Sequence, residues 1–369
     1  MVERRRGRVV NIASDAARLV PRRAFRARVT AGGDGVDGVG NDPGGRRGTA
    51  RARGRITRPL VCAPAFGWAM DLAGQAPVSG VVCALGALGA RASRSVRNAS
   101  RPSRMKIHHL DCGCMCPLAR RAIAGNGSFF ERGRMPAHCL LIETPASGLV
   151  LVDTGFGRDD VRDPAGRLGP VAKLLGTPRD SAVTAYEQVK QLGFDPRDVR
   201  HLVVTHLDLD HAGGLPDFPW ATVHVHAAER RAAEHPTLLE RERYRRARFG
   251  HLPNYSTYDA TGEPWNGFPA VRDLPGLPPD ILAIPLPGHT RGHACIAVDG
   301  GDRWLLHAGD AYFHRSRLAG GTTPAGLELF EWMVAVNYSQ VVDNHRRLGE
   351  LVDREDIQVF SAHDPAEFD

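Results

Sequence analysis

The run Thr205-His206-Leu207-Asp208-Leu209-Asp210-His211-Ala212-Gly213-Gly214 sets two imidazoles and two carboxylates within six residues. Donors of these two types suit Zn, Fe, Mn or Co. A loop carrying them can turn residues 206 and 208 toward one ion and residues 210 and 211 toward another. Four more stretches carry single polar residues beside turn-forming glycine or proline, or at the end of an apolar run. They are Val152-Asp153-Thr154-Gly155, Pro287-Gly288-His289-Thr290, Ala308-Gly309-Asp310 and Ser361-Ala362-His363-Asp364. Each is weak alone. The sequence holds no G-x-S-x-G elbow, so a serine-hydrolase reading has little support.

In order and spacing the five stretches resemble the metallo-β-lactamase superfamily, from about Met105 to the C-terminus. The resemblance implies a site for two divalent ions. His206, Asp208 and His289 would take the first, Asp210, His211 and His363 the second, and Asp310 would bridge both. The superfamily pattern is H-x-H-x-D-H, and this chain carries Asp208 where the second His is usual. Zinc is the first expectation, with Fe or Mn at the Asp208 position because a carboxylate is a harder ligand than an imidazole. Chemistry of this kind uses a hydroxide held between two ions ~3.5–4 Å apart. Asp210 would handle protons as the intermediate collapses.

The resemblance extends to quorum-quenching lactonases and glyoxalase II-like enzymes. Hydrolysis of an ester or lactone is therefore expected, an acyl-homoserine-lactone-like substrate first. The alternatives are a glutathione thioester hydrolase, a diiron redox protein and a non-catalytic binding protein of the same fold. Lactonases of this fold carry a substrate-contacting Tyr three positions after the bridging Asp. Here that position is Phe313, with Tyr312 one residue earlier, and Tyr312 is taken as the third catalytic candidate beside Asp210 and Asp310. Asp153 is expected to support a ligand imidazole. His293, His224 and His226 read as supporting, core or surface residues rather than ligands. The Arg-rich run over residues 240–248 reads as a solvated helix face.

The elements that must position these residues alternate strands and helices. Residues 138–143 and 148–153 read as a hairpin, residues 182–192 as a helix, and residues 199–205 as a buried strand ending at the first motif. Further strands are expected at 106–110, 221–226, 281–286, 294–298, 304–308 and 357–361. Helices are expected at 227–234 and over most of 327–352. This pattern fits an α/β fold, an αββα sandwich of two mixed β-sheets flanked by helices. Residues 235–280 interrupt the rhythm and read as a lid insertion.

Charge divides the chain unevenly. Residues 1–104 hold 20 Arg, no Lys and 6 acidic residues, net +14, whereas residues 105–369 are net −7. The overall +7 is therefore poor grounds for nucleic-acid binding, and a net acidic domain repels phosphate backbones. No run reaches the ~18 apolar residues of a membrane span. The seven cysteines make no disulfide framework at this length, and the alternate spacing of Cys112, Cys114 and Cys116 is not the usual zinc spacing. A cytoplasmic protein acting on a small molecule is expected.

Residues 1–104 read as a disordered Arg/Gly/Ala-rich extension, a transit peptide, or upstream DNA translated from a wrong start. The abrupt change at Met105 favours the last. The hydrolase domain is accordingly placed at residues 105–369. A chain shortened to begin at Met105 is expected to match the full chain in thermal midpoint and turnover. Insolubility or lost activity of the shortened chain would move the boundary.

Overall fold

The computed structural model describes residues 105–245, 254–259, 262–268 and 272–369. The expected N-terminal extension lies outside them. Among the described residues, eleven strands form two sheets: β1 (Lys106–Asp111), β2 (His138–Glu143), β3 (Leu149–Val152), β4 (Val199–Val203), β5 (Thr222–His226), β6 (Tyr255–Tyr258), β7 (Arg272–Asp273), β8 (Ile281–Pro285), β9 (Ala294–Asp299), β10 (Trp304–His307) and β11 (Ile357–Phe360). One sheet has the order β1-β2-β3-β4-β5-β6, the other β11-β10-β9-β8-β7. Both are mixed. β1, β2 and β3 pair antiparallel and β3 through β6 parallel, while β7 through β10 pair antiparallel and β10 pairs β11 parallel.

Alternation along the strands sorts side chains into layers. Leu140 and Ile142 of β2, with Val150 and Val152 of β3, pack against Ile281, Ala283, Ile296 and Val298 of the second sheet. Their neighbours Cys139, Leu141, Leu149 and Leu151 face the other way, onto Ala185 and Val189 of the helix Ala185–Gln191. The second sheet turns Leu282, Ile284, Cys295 and Leu306 toward Leu348 and Leu351 of the helix Tyr338–Val352. The result is the expected αββα order, and it explains why β2, β3, β8 and β9 read as continuous apolar runs: both their faces are covered. Truncating one such residue, Leu140→Ala, removes packing on a fully buried side chain, a change that typically costs about 2–5 kcal/mol.

The mostly helical stretch expected over 327–352 is two helices, Ala325–Val334 and Tyr338–Val352, the second starting where the Asn337 side chain accepts from the Gln340 amide. The region 235–280 is not simply a cover. It supplies β6 and β7, one strand to each sheet, and among its described residues the segment 237–245 packs against the loops that carry the histidines.

The C-terminus locks the second sheet. Tyr312 is fully buried among Leu348, Leu351 and Ile357, and its hydroxyl donates to the Glu367 carboxylate at 3.0 Å. Glu367 also accepts from the Ser361 amide, and Ser361 Oγ donates to the Tyr312 carbonyl. Tyr312 therefore serves the core. With no surface and its phenol spent on Glu367, it is in no position to meet a substrate. Burial, aided by the nearby Asp364 carboxylate, pushes the Glu367 carboxyl up to about 7.

A carboxyl raised in the folded state holds a proton that the unfolded chain has already lost. Its contribution to stability is therefore full at acid pH and falls as pH rises from about 4.5 to about 7. The variant Glu367→Gln mimics the protonated form and should not show this loss. Urea unfolding at pH 5 and pH 7.5 should give the parent an extra loss of about 2–3 kcal/mol relative to the variant. Equal pH slopes in the two proteins would remove Glu367 as the titrating group.

Candidate metal centre

The first motif leaves β4 through Val204 and Thr205, and a one-turn helix, Leu209–Ala212, follows. His206 and Asp208 lie before that turn, Asp210 and His211 within it. His289 sits in the loop after β8, Asp310 in the loop after β10, and His363 after β11. Gly309 makes the turn into Asp310 at φ +53. A Cβ there would lie 2.7 Å from His293 Nε2 and 3.0 Å from Thr205 Cβ, so only glycine allows the loop to pass.

The structure brings together all seven residues expected to hold metal. His206, Asp208, His289 and Asp310 offer donor atoms within 4.8 Å of one another, as do Asp210, His211 and His363. Asp310 joins the two groups. Its Oδ2 lies 3.7 Å from His206 Nε2 and 3.4 Å from His289 Nε2, while its Oδ1 lies 3.1 Å from His211 Nε2 and 3.0 Å from His363 Nε2. The remaining carboxylates sit one in each group. Asp208 Oδ2 is 3.0 Å from His289 Nε2, and Asp210 Oδ2 is 3.3 Å from His363 Nε2.

The imidazoles are held from behind. His211 Nδ1 meets Asp153 Oδ2 at 2.8 Å, and His363 Nδ1 meets the Pro136 carbonyl at 2.7 Å. These acceptors fix the proton on Nδ1, which turns the Nε2 lone pair inward. His206 Nδ1 is 3.0 Å from Thr205 Oγ1, whose hydroxyl donates to Asp153 Oδ2. Asp153 also accepts from the Thr205 amide, and it adopts φ +54, a left-handed conformation that Asp tolerates better than most residues. Its position one residue beyond β3 thus supports the motif at the end of the neighbouring strand β4.

His293, four residues after His289, is not among the donors. Its Nε2 accepts from the Asp310 amide at 3.0 Å and its Nδ1 faces the Leu286 carbonyl, so it shapes the Asp310 loop. His224 and His226 are buried away from the donor groups, the first against His201 and the second against the Gly292 carbonyl. Cys114 and Cys116 approach to 3.5 Å and join no metal-binding group among the described residues.

The donor set fits cations on three counts. His206 Nε2 and Asp310 Oδ1 are buried with no hydrogen-bond partner, and both aim into the cluster. Burial opposes charge on Asp310, but the surrounding His363, His211 and His289 hold its carboxyl well below the usual range. Burial likewise opposes charge on His211, yet Asp310, Asp153 and Asp210 raise its pKa well above that of an ordinary imidazole. The site is thus a buried field that favours positive charge.

Residues that sequence reasoning missed complete the surroundings. Glu229, fully buried, accepts from the Leu207 amide and the Tyr244 hydroxyl on Oε1 and from the Gly292 amide on Oε2, each at 3.0 Å. Arg243 reaches Asp208. Of the run 240–248, expected to be a solvated face, residues 246–248 lie outside the described residues; Arg241 and Glu242 are exposed, whereas Glu240 and Tyr244 are buried and Arg243 is largely so. Phe313 stacks on His363 with ring centres 5.4 Å apart and meets His289 edge-on at 5.9 Å. It faces the site where Tyr312 does not.

The family model of the metallo-beta-lactamase superfamily matches residues 132–331. The chain is 44% identical over 265 residues to a probable metallo-hydrolase of Mycobacterium tuberculosis, covering 71% of this chain and 81% of that one. It is 29% identical to an N-acyl homoserine lactonase of Agrobacterium fabrum, over 65% of this chain and 85% of that protein. Among solved structures, an N-acyl homoserine lactone hydrolase with product at its catalytic metal centre aligns at a TM-score of 0.54 and 21% identity, over 71% of this chain and 94% of that one. With two sheets in αββα order and a matched stretch that runs from ahead of β2 to beyond Asp310, this chain belongs to the metallo-beta-lactamase superfamily.

Proposed function

We propose that this protein is a binuclear metal-dependent hydrolase that opens a lactone, with an acyl-homoserine-lactone-like compound as the substrate class. The observation that carries the two-ion reading is the division of Asp310, one oxygen toward each donor group. His206, Asp208 and His289 would hold one ion, Asp210, His211 and His363 the other. When bound, two divalent ions supply Lewis acidity toward a carbonyl and acidify water toward neutrality.

The chain's own residues supply the rest. Asp210, 7% exposed, is positioned to accept and return a proton at Oδ2. No side-chain nucleophile is needed; Thr205 Oγ1 is engaged with Asp153 and Ser361 Oγ with the Tyr312 carbonyl. Phe313, edge-on to Phe330 at 5.5 Å and packed in one cluster with Leu209 and Val334, forms an apolar wall beside the histidines. Such a wall excludes water and suits an acyl chain better than a polyanion. The lactonase relatives favour a lactone over a thioester.

Purified protein should hold about two metal ions per chain and hydrolyse acyl lactones faster than acyl thioesters. The variant Asp310→Ala should lose most of the metal, and lactone turnover should fall by at least about 100-fold, since even groups that only support ligands typically cost 10- to 100-fold. Full metal content with unchanged turnover in that variant would remove the site assignment. A higher kcat/KM for a thioester than for any lactone would overturn the substrate class and leave the metal centre standing.

A further inference from the structure

Asp208 occupies a position where the superfamily pattern has an imidazole, and a carboxylate there adds a negative charge to a site that already holds Asp210 and Asp310. Its two oxygens face different ways. Oδ2 points among the donors, 3.0 Å from His289 Nε2 and 3.4 Å from His206 Nε2. Oδ1 is 2.9 Å from Arg243 Nε.

Each nitrogen of the Arg243 guanidinium meets an oxygen, the one at Asp208 as an ion pair rather than a hydrogen bond. Besides Asp208, its Nη1 donates to the His289 carbonyl at 3.1 Å, and its Nη2 donates to the Val334 carbonyl at 2.6 Å. One fork thus grips the side chain of one proposed ligand, the backbone of another, and the last residue of the helix Ala325–Val334, whose exposed carbonyl end favours a cation. The side chain is 14% exposed, so little of it is left to meet a substrate.

Arg243 is itself held in place. The neighbouring Tyr244 hydroxyl donates to Glu229, which also accepts from the Leu207 and Gly292 amides. Glu240, on the same segment, pairs with Arg291 at 2.8 Å. The segment is tied at both ends to the loops that carry His206, Asp208 and His289.

We propose that Arg243 is a positioning residue for the metal centre: it aims Asp208 Oδ2 at the ion and cancels the charge of Asp208, so that the Asp208–Arg243 pair takes the electrostatic place of a neutral imidazole. The proposal rests on the two-ion reading above. It requires that residues 208 and 243 be exchanged together. A histidine at 208 leaves a buried guanidinium facing a neutral ring, and an apolar residue at 243 leaves a buried carboxylate without its counter-charge.

The test is a double-mutant cycle on metal affinity, with Zn²⁺ and Mn²⁺ each titrated alone against a chromophoric chelator. The proteins are the parent, Arg243→Met, Asp208→His and the double variant. Each single variant should lose about 10- to 100-fold in affinity for one of the two ions. The double variant should return to near parental affinity and prefer Zn²⁺ over Mn²⁺ more strongly than the parent does. Losses that simply multiply would overturn the pairing, as would Arg243→Met with parental metal affinity and only a raised KM. Arg243→Lys keeps the charge without the fork and guards against a Met variant that fails to fold. It should lose less affinity than Met, and parental affinity in the Lys variant would overturn the positioning role. A parent that binds no metal would sink the two-ion reading itself, whereas two ions in the parent with an uncoupled cycle would sink only the role of Arg243.

Discussion

Three carboxylates, Asp208, Asp210 and Asp310, are gathered with four imidazoles in a largely buried place. Buried negative charges repel, and each carries a desolvation penalty of several kcal/mol unless it is paired. The arrangement is tolerable because every oxygen that faces inward lies within 3.0–3.7 Å of at least one imidazole Nε2, and because the outer oxygen of Asp208 has Arg243. The same field that makes this cluster costly makes it selective for cations. Much of the surrounding architecture supports it: Asp153 behind His211, Pro136 behind His363, His293 under the Asp310 loop, and Glu229 between the 206–208 and 289–292 loops.

The two sheets provide the rigidity this needs. The donors come from the ends of β4, β8, β10 and β11, and strands in a packed four-layer core move little. Asp153 shows how the sheet carries geometry across strands. It leaves β3 in a left-handed conformation and reaches the Thr205 amide and hydroxyl at the end of the parallel neighbour β4. A strained backbone at such a point persists only where surrounding contacts over-determine it, and three hydrogen bonds do so here.

The strands were legible because alternation and continuous apolar runs are local signals, and a polar residue beside a glycine turn after such a run marks a strand-end loop. That the seven such residues form one set was legible from their order and spacing, which resemble the metallo-β-lactamase superfamily. What the sequence concealed were relations between distant segments. Arg243 lies in a run of arginines and glutamates that looks like solvated surface, and nothing nearby announces that one of them crosses to Asp208. Glu229 lies in an eight-residue helix of low apolar content, with no hint that both its oxygens are taken by backbone amides elsewhere. β6 and β7 are short edge strands in a stretch rich in Pro, Tyr and Trp, too brief to show a period. The exchange of Tyr312 for Phe313 is a matter of which face a turn presents, which spacing alone does not decide.

That exchange also bears on how the site reads a substrate. A tyrosine at the wall would offer a hydroxyl to a carbonyl oxygen, whereas Phe313 offers only a ring face, already stacked on His363. For the hydrolysis proposed above, polarisation of a carbonyl would then fall to the ions the donor groups hold, and the wall would contribute shape and the exclusion of water. Phe313, Phe330, Leu209 and Val334 lie in one apolar cluster with Met115, Met135, Phe156 and Leu168, so the wall is continuous with a packed core rather than a loose flap. Rigid apolar walls discriminate by size, at about 1–3 kcal/mol per methylene, far more weakly than a polar group left unpaired. For the lactone proposed above, selection would then rest mainly on where the reactive carbonyl sits relative to Asp310 and only coarsely on the length of the apolar part.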